Sequence, residues 1–466
     1  MSLQFHNTLS RRLEPFAPIE SGRVRMYTCG PTVYNRAHIG NFRAYIFEDL
    51  LRRHLKWSGF QVTHVMNLTD VDDKTIRTSI SEGLPLKVFT KRYIDAFFQD
   101  IAVLNIERAE HYPAATDFIP EMIALIQTLL DKGVAYQSED GSIYFSIDKF
   151  PSYGCLACLD RSGLKAGARV AQDEYDKENA ADFALWKAWT EKDGEVVWDA
   201  PWGRGRPGWH IECSAMSMKF LGPSFDIHCG GVDNIFPHHE GEIAQSEAAT
   251  GRKFVNFWLH CAHLIVDGKK MSKSLGNFFT LEDLIKEGFS GREVRYQLLA
   301  THYRQTLNFT REGLHAARAA LQRVDEFTER LRGLAAGRAA GGSVPDWAEQ
   351  GRAAVRAALD QDLNISEALA ALFDLLRAGN KALDAGAVST EGAASALGVL
   401  DDIDRVLGVL KPSATAADSE VEELVKQRQA ARAAKNWAES DRLRDEIAQR
   451  GWIVQDSPQG PKLRKK

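Results

Sequence analysis

Apolar positions recur along this chain with two different periods, and the switches between them outline its organisation. Residues 23–29 (Arg-Val-Arg-Met-Tyr-Thr-Cys) form a short apolar-rich run broken by Gly30-Pro31, which predicts a buried strand. Phe47, Leu50, Leu51, His54 and Leu55 then fall at helical spacing up to Gly59, and residues 61–68 predict a second strand. Strand, helix, strand in that order implies a parallel sheet, in which ligands gather at the carboxyl ends of the strands. Cys29 and His38 stand at that end.

From about Ala114 to Pro201 the pattern turns irregular, with a hairpin-like stretch at Tyr136–Phe145 and an acidic run at Asp173–Glu178, and it reads as an insertion. Sheet-like signals return at Ser224–Gly231 and Phe254–Val266. Beyond Thr310 the chain is rich in Ala and Leu at helical spacing, broken at Gly341-Gly342-Ser343-Val344-Pro345 and capped by Asn364 or Ser366 and by Thr390, which predicts a helical bundle. Residues 412–417 read as a linker. Two amphipathic helices (about 419–433 and 437–449), a strand at Trp452–Val454, the turn Pro458-Gln459-Gly460-Pro461 and a basic end follow. No repeat of fixed period is present.

Composition narrows the class. A chain of 466 residues, 44 % hydrophobic, supports several domains with real cores. Its apolar runs are too short for a membrane span, and an N-terminus with Arg11, Arg12 and no apolar stretch is not a signal peptide, so a cytoplasmic enzyme is expected. Six scattered cysteines predict metal or free-thiol roles, not a disulfide framework. The net charge is −5, yet from Lys426 onward eleven Lys and Arg face five Asp and Glu. An acidic body with a basic end suits contact with RNA along part of the surface.

Two short polar segments carry the phosphate chemistry. His38-Ile39-Gly40-Asn41 stands at a helix start, where free N–H groups favour anions, and Lys270-Met271-Ser272-Lys273-Ser274 is a cationic loop suited to a polyphosphate. Metal-ligand candidates are Cys29, Cys213 and the segment Pro237-His238-His239-Glu240-Gly241-Glu242. On a helix His238 and Glu242 share a face and Glu240 points elsewhere, while His239, three from Glu242, stays open as an alternative. Two thiolates, an imidazole and a carboxylate suit zinc. Two motifs read as decoys. Gly203-Arg204-Gly205-Arg206-Pro207-Gly208 matches a dinucleotide fingerprint but follows no strand. Cys155-Leu156-Ala157-Cys158 has no second pair and no βαβ context, and reads as a free-thiol pair in preference to a zinc or redox site.

The His38 and Lys270–Ser274 segments together resemble the signature pair of class I aminoacyl-tRNA synthetases. Tyr27–Pro31, Asn67–Lys74, Gly208–Ser214 and His238–Glu240 stand in the order found in cysteinyl-tRNA synthetases, and the resemblance spans nearly the whole chain. It implies an α/β fold: a Rossmann-like catalytic domain in two halves (1–113 and 203–309) around an inserted domain (114–202), a helical bundle (310–410), and a linker with a small basic α+β domain that reads the anticodon (411–466). It implies one zinc per chain held by Cys29, Cys213, His238 and Glu242. Further implied are catalytic roles for His38, Lys270 and Lys273, ATP binding by Gly40, Asn41, Gly231, Asp233 and Lys273 with Mg2+, and cysteine binding near Thr69, Trp209 and His228. The partners implied are ATP, L-cysteine and tRNA(Cys), with a monomer expected. Asn41 departs from the family's usual final His and has no ionisable proton to offer. Rival readings are a sister ligase joining cysteine to an amino-sugar, which lacks the basic end, and an inactive relative that only binds RNA or metal.

Overall fold

The computed structural model describes the chain except residues 1–2, 160–168, 171–181, 273–274, 338–341, 412–415, 458–459 and 466. Its centre is a parallel sheet of four strands, β1 (Arg23–Thr28), β2 (Gln61–Met66), β3 (Phe225–Gly231) and β4 (Val255–Cys261), in the order β4-β3-β1-β2. Helix α1 (Ile39–Trp57) joins β1 to β2. Helix α2 (Trp209–Leu221) precedes β3, and α3 (Glu240–Thr250) joins β3 to β4. All five apolar-face positions expected on α1 are buried, so its amphipathic period places it as read. The crossovers diverge from β1 and β3, so the crevice between the carboxyl ends of those two strands is the switch point where an open α/β sheet binds ligands. Cys29 and Gly230-Gly231 lie there, and the Cys29 N–H donates to the Cys229 carbonyl at 3.3 Å.

The sheet-like signal at 254–266 resolves into two elements. β4 ends at Cys261, and Leu264–Val266 pairs instead with Leu307–Phe309 and with Lys269–Lys270, the strand leading into the lysine loop. The insertion holds its own sheet, with Ala135–Gln137, Ile143–Phe145, Asp182–Ala188 and Gly205–Pro207 paired antiparallel, so the sheet reaches beyond residue 202. The acidic run 173–178 lies outside the described residues. In the fingerprint-like segment, a Cβ on Gly205 would stand 2.1 Å from the Lys187 carbonyl oxygen and one on Gly208 2.0 Å from that of Ala184. Those glycines serve close strand packing, not a phosphate loop.

Helices Arg311–Ala335, Asp346–Asp360, Ile365–Asp384 and Thr390–Leu407 form the expected helical region. Asn364 caps the third, accepting from the Glu367 N–H. The fourth is capped by Ser389, which accepts from the Gly392 N–H, and not by Thr390, which is already helical. Residues 412–466 form a separate compact unit. Within it, helices Ala416–Ala433 and Trp437–Gln449 pack around Val421, Leu424, Val425, Leu443 and Ile447. The basic end is the second strand of a hairpin, Gly460–Lys465 against Trp452–Ser457, not a trailing tail. Among the described residues no helix is long and apolar enough to cross a membrane.

Candidate active site

The first signature segment is built into the start of α1. His38 is the N-cap: its Nδ1 accepts from the Asn41 N–H at 3.2 Å, and the Asn41 Oδ1 accepts from the His38 N–H at 3.1 Å. The pair closes a capping box, which satisfies two backbone donors that a helix start would otherwise leave open. The same Asn41 N–H is shared with the His38 carbonyl at 2.9 Å, and with Nδ1 accepting, Nε2 is the ring nitrogen left to donate. Asn41 therefore has a structural use in this chain. A Cβ on Gly40 would lie 3.0 Å from the His38 ring and 3.2 Å from Met271 Cε, so a glycine lets the two signature segments approach.

The second segment is tied to the first. The Ile39 N–H donates to the Phe279 carbonyl at 3.0 Å, His38 and Thr280 pair as an isolated bridge, and Phe278 meets the His38 ring edge-on at 5.1 Å. Asn277 closes the loop from below, its Nδ2 donating to the Lys270 carbonyl and its Oδ1 accepting from the Ser272 N–H. Lys270 is exposed. Lys273 lies outside the described residues. Asn277 and Thr280 escaped the sequence reading because their contribution is one of tertiary contact, which no spacing signals.

The metal candidates converge. One ligand atom from each of Cys29, Cys213, His238 and Glu242 lies within 4.8 Å of the others, and so does a second, overlapping set of Cys29, His228, His239 and Glu242. Cys29 closes β1, Cys213 lies on the first turns of α2, and the two histidines occupy the irregular turn Ile235–His239 just before α3. The spacing argument holds across that turn: His238 Nε2 is 3.1 Å from Glu242 Oε1, whereas Glu240 faces the insertion. His228 Nε2 is 2.9 Å from Glu242 Oε2, and His239 Nε2 is 3.3 Å from Cys29 Sγ.

Burial dominates the electrostatics here. It pushes His238 down to about 3 and His239 well below the usual imidazole range, and it raises the Cys29 thiol well above its ordinary value, with Cys213 beside it adding to the effect. Neutral imidazoles are the form that binds a metal. Glu242 Oε1 is buried without a hydrogen bond. A buried carboxylate oxygen facing two thiols and an imidazole fits a divalent cation of borderline softness, which would supply the charge that favours the thiolates. His238 and His239 are also held from behind: His238 Nδ1 is 3.0 Å from His210 Nδ1, and His239 Nδ1 is 2.8 Å from His260 Nε2, whose Nδ1 in turn reaches the Thr8 hydroxyl. Such outer partners orient metal-binding imidazoles. His210 and His260 were not singled out from the sequence.

The softer expectations are placed unevenly. Trp209 stacks on His238 at 4.2 Å, and His228 lies within the cluster, flanked by Trp258 and Tyr27. Thr69 is buried on the loop after β2, its backbone paired with Pro31 and Val33 and its hydroxyl accepting from Asn67. A Cβ on Gly231 would stand 2.3 Å from Asp233 Oδ1, so that turn stays narrow. The carboxylates of the Asn67–Lys74 segment are largely structural. Asp70 accepts twice from Thr116, Asp72 caps the helix Asp73–Ser81, and Asp73 pairs with Lys187 and Arg206 of the insertion. An open cavity of about 810 Å³ begins at Trp209 and Thr32 and runs between Lys74, Arg77 and Lys192.

Three family models match the chain: tRNA synthetases class I (C) catalytic domain over 15–319, DALR domain over 354–411, and Cysteinyl-tRNA ligase anticodon binding domain over 414–464. The chain is 52 % identical over 468 residues to a cysteine–tRNA ligase of Protochlamydia amoebophila, covering 99 % of this chain and 98 % of that protein. It is 52 % identical over 465 residues to that of Chlamydia pneumoniae, with the same coverage. Among solved structures, a Mycobacterium tuberculosis methionyl-tRNA synthetase in complex with methionyl-adenylate superposes with a TM-score of 0.61 at 15 % identity, over 86 % of this chain and 94 % of that one. A putative arginyl-tRNA synthetase from Campylobacter jejuni gives 0.58 at 12 %, over 85 % and 94 %. These two likenesses bear on the fold alone.

Proposed function

The chain belongs to the cysteinyl-tRNA synthetases, ATP-dependent class I ligases that join cysteine to tRNA, and from that premise we propose how its residues divide the work. The observation that carries the reading is the convergence of half-buried Cys29 with buried Cys213, His238 and Glu242 at the switch point of the sheet. We assign these four as ligands of one zinc ion; when bound, the metal would take the substrate's thiolate, which a hydroxyl replaces poorly, and so separate cysteine from serine.

The remaining roles belong to the protein's own groups. Trp209, Thr69 and His228 surround the amino acid. Gly40, Asn41, Gly231 and Asp233 leave room for and contact ATP, which arrives with Mg2+. The Nε2 proton of His38 donates to a phosphate oxygen, and Lys270 and Lys273 bring positive charge to the phosphates as the cysteine carboxylate attacks the α-phosphate and pyrophosphate departs. A ribose hydroxyl at the tRNA 3′ end then attacks the adenylate carbonyl, with no side chain assigned as its base. The protein acts in the cytoplasm as a monomer, and its last unit reads the anticodon of tRNA(Cys).

Metal analysis of the wild type and of Cys213→Ser tests the ligand set. The wild type should carry one zinc per chain, and Cys213→Ser should lose zinc and L-cysteine affinity together. A second reading, favoured by the Cys29–His239 contact, replaces Cys213 and His238 by His228 and His239. Full zinc retention in Cys213→Ser with loss in His239→Ala would select it.

A further inference from the structure

Two exposed thiols outside the candidate active site share one turn, and one of them lies against the other's backbone. Cys155 and Cys158 are both exposed and lie in the turn 151–158 of the insertion. Cys158 adopts φ 55°, which brings its Sγ to 3.8 Å from the Cys155 carbonyl oxygen. The Leu159 N–H donates to the Gly154 carbonyl at 3.0 Å, closing a short loop that holds both cysteines, three residues apart. Arg11 donates to Cys158 Sγ at 3.3 Å and to the Leu156 carbonyl at 2.8 Å, placing a guanidinium where a sulfur would carry negative charge in an exchange reaction.

The two residues between the thiols connect this turn to the cluster. Leu156 is fully buried in the same apolar group as Cys213 and Tyr27. The N–H groups of Gly154, Leu156 and Ala157 donate to the buried Glu240 carboxylate at 2.7, 2.9 and 3.0 Å. Glu240 is the first residue of α3 and lies two positions before Glu242. Charge-assisted bonds of this kind are the strong ones, and they hold only while the turn keeps its shape.

We propose that Cys155 and Cys158 are a reversible redox pair that exchanges with low-molecular-weight disulfides, and that the turn reports its state to α3 through Glu240. In the exchange the Cys158 thiolate attacks one sulfur of a disulfide RSSR, the S–S bond breaks, and RS⁻ leaves. The Cys155 thiolate then attacks the mixed disulfide at the Cys158 sulfur and releases the second RS⁻. Two cysteine thiols are oxidised to one disulfide, and the disulfide is reduced to two RSH, which take up the two protons. Closing the pair pulls Leu156 and its neighbours out of register with Glu240. The amino acid this enzyme uses is itself a thiol, so the substrate can reopen the pair.

Full-length protein incubated with glutathione disulfide tests this, read by alkylation with mass spectrometry, by hydrogen exchange of the amides at 154, 156 and 157, and by the time course of cysteine-dependent pyrophosphate exchange. Oxidation should remove the thiols at 155 and 158, and exchange at those amides should quicken about tenfold as their bonds to Glu240 weaken. Activity should begin with a lag that dithiothreitol abolishes. Cys155→Ser, or Cys158→Ser if the first fails to fold, should show neither the quickened exchange nor the lag. Thiols at 155 and 158 that stay alkylatable, a disulfide that leaves amide exchange and lag unchanged, or a lag that survives in the serine variant would each overturn the proposal. None of these outcomes depends on the zinc assignment, because neither thiol belongs to either candidate ligand set.

Discussion

Single residues here carry consequences out of proportion to their place in any motif. Asn41 stands at a position where a charged role was in question, and the capping box with His38 gives it a purpose instead. Asn41→Ala leaves the His38 N–H without its acceptor and should cost about 1 kcal/mol of stability. It should also slow pyrophosphate exchange without changing L-cysteine affinity, because the imidazole loses its orientation while the amino acid's pocket is untouched. Urea denaturation and exchange kinetics check both halves. His64 offers a test by pH. Burial pushes it down to about 3 from an ordinary 6.5, and its Nε2 is 2.9 Å from the Thr28 hydroxyl. The unfolded chain binds a proton at this side chain below pH 6.5, while the folded chain does not do so until about pH 3. The native state is therefore fully favoured above pH 6.5 and loses stability as pH falls through that window. Neighbouring carboxyls such as Glu48, raised by burial, act in the opposite sense, so the comparison must isolate the histidine. The stability difference between wild type and His64→Asn should be flat above pH 7 and shift by about 1.4 kcal/mol per pH unit between pH 6 and 4. A difference independent of pH would show that His64 titrates normally.

At the level of elements, periodicity and turn chemistry made most of the architecture readable, because strands and helices that bury one face must repeat apolar residues at a fixed spacing. The first β1-α1-β2 unit, the helical region and the paired C-terminal helices all follow from that rule. Ser389 took the cap from Thr390 because both hydroxyls qualify and only the backbone path decides which precedes the helix. The C-terminal strand hid in Gly460–Lys465 because its alternating Lys and Arg read as charge before they read as a pleat. Half of the candidate site was legible for a similar reason: His238 and Glu242 lie four apart, but His210, His260, Asn277 and Thr280 meet it only through the fold. Buried polar joints between elements were invisible for the same cause. Arg295, fully buried, donates to Asp49 on α1 at 2.6 Å and to the carbonyls of Leu407, Leu104 and Asn105. It pins the helical region to the catalytic sheet's first helix. Arg295→Ala should destabilise the catalytic unit by about 3 kcal/mol, since buried Asp49 keeps one of its two guanidinium partners, Arg53, beside the Glu107 N–H. A chemical denaturation midpoint within error of wild type would remove Arg295 from that role.

For the whole molecule, the question is what the last unit adds. Residues 412–466 form a compact body with their own small core, and Trp452 packs against that core. Trp437 does not: it is 59 % exposed, with Arg432 above its ring at 6.0 Å. An exposed indole beside a guanidinium is the kind of surface on which an unpaired base stacks, whereas the local excess of Lys and Arg suits phosphates. The zinc candidates and both signature segments all belong to residues 1–411, so amino-acid activation should not need this unit. Truncation after Leu410 should therefore leave cysteine-dependent pyrophosphate exchange near the full-length rate. Charging of tRNA(Cys) should fall sharply, chiefly through weaker binding, and the full-length protein's tRNA affinity should drop as salt rises because phosphate contacts release counterions. Trp437→Ala should reproduce part of the charging defect at unchanged salt dependence, since stacking carries no counterion. Charging that survives the truncation would place tRNA recognition in the catalytic and helical regions and leave this unit without a part in choosing the tRNA.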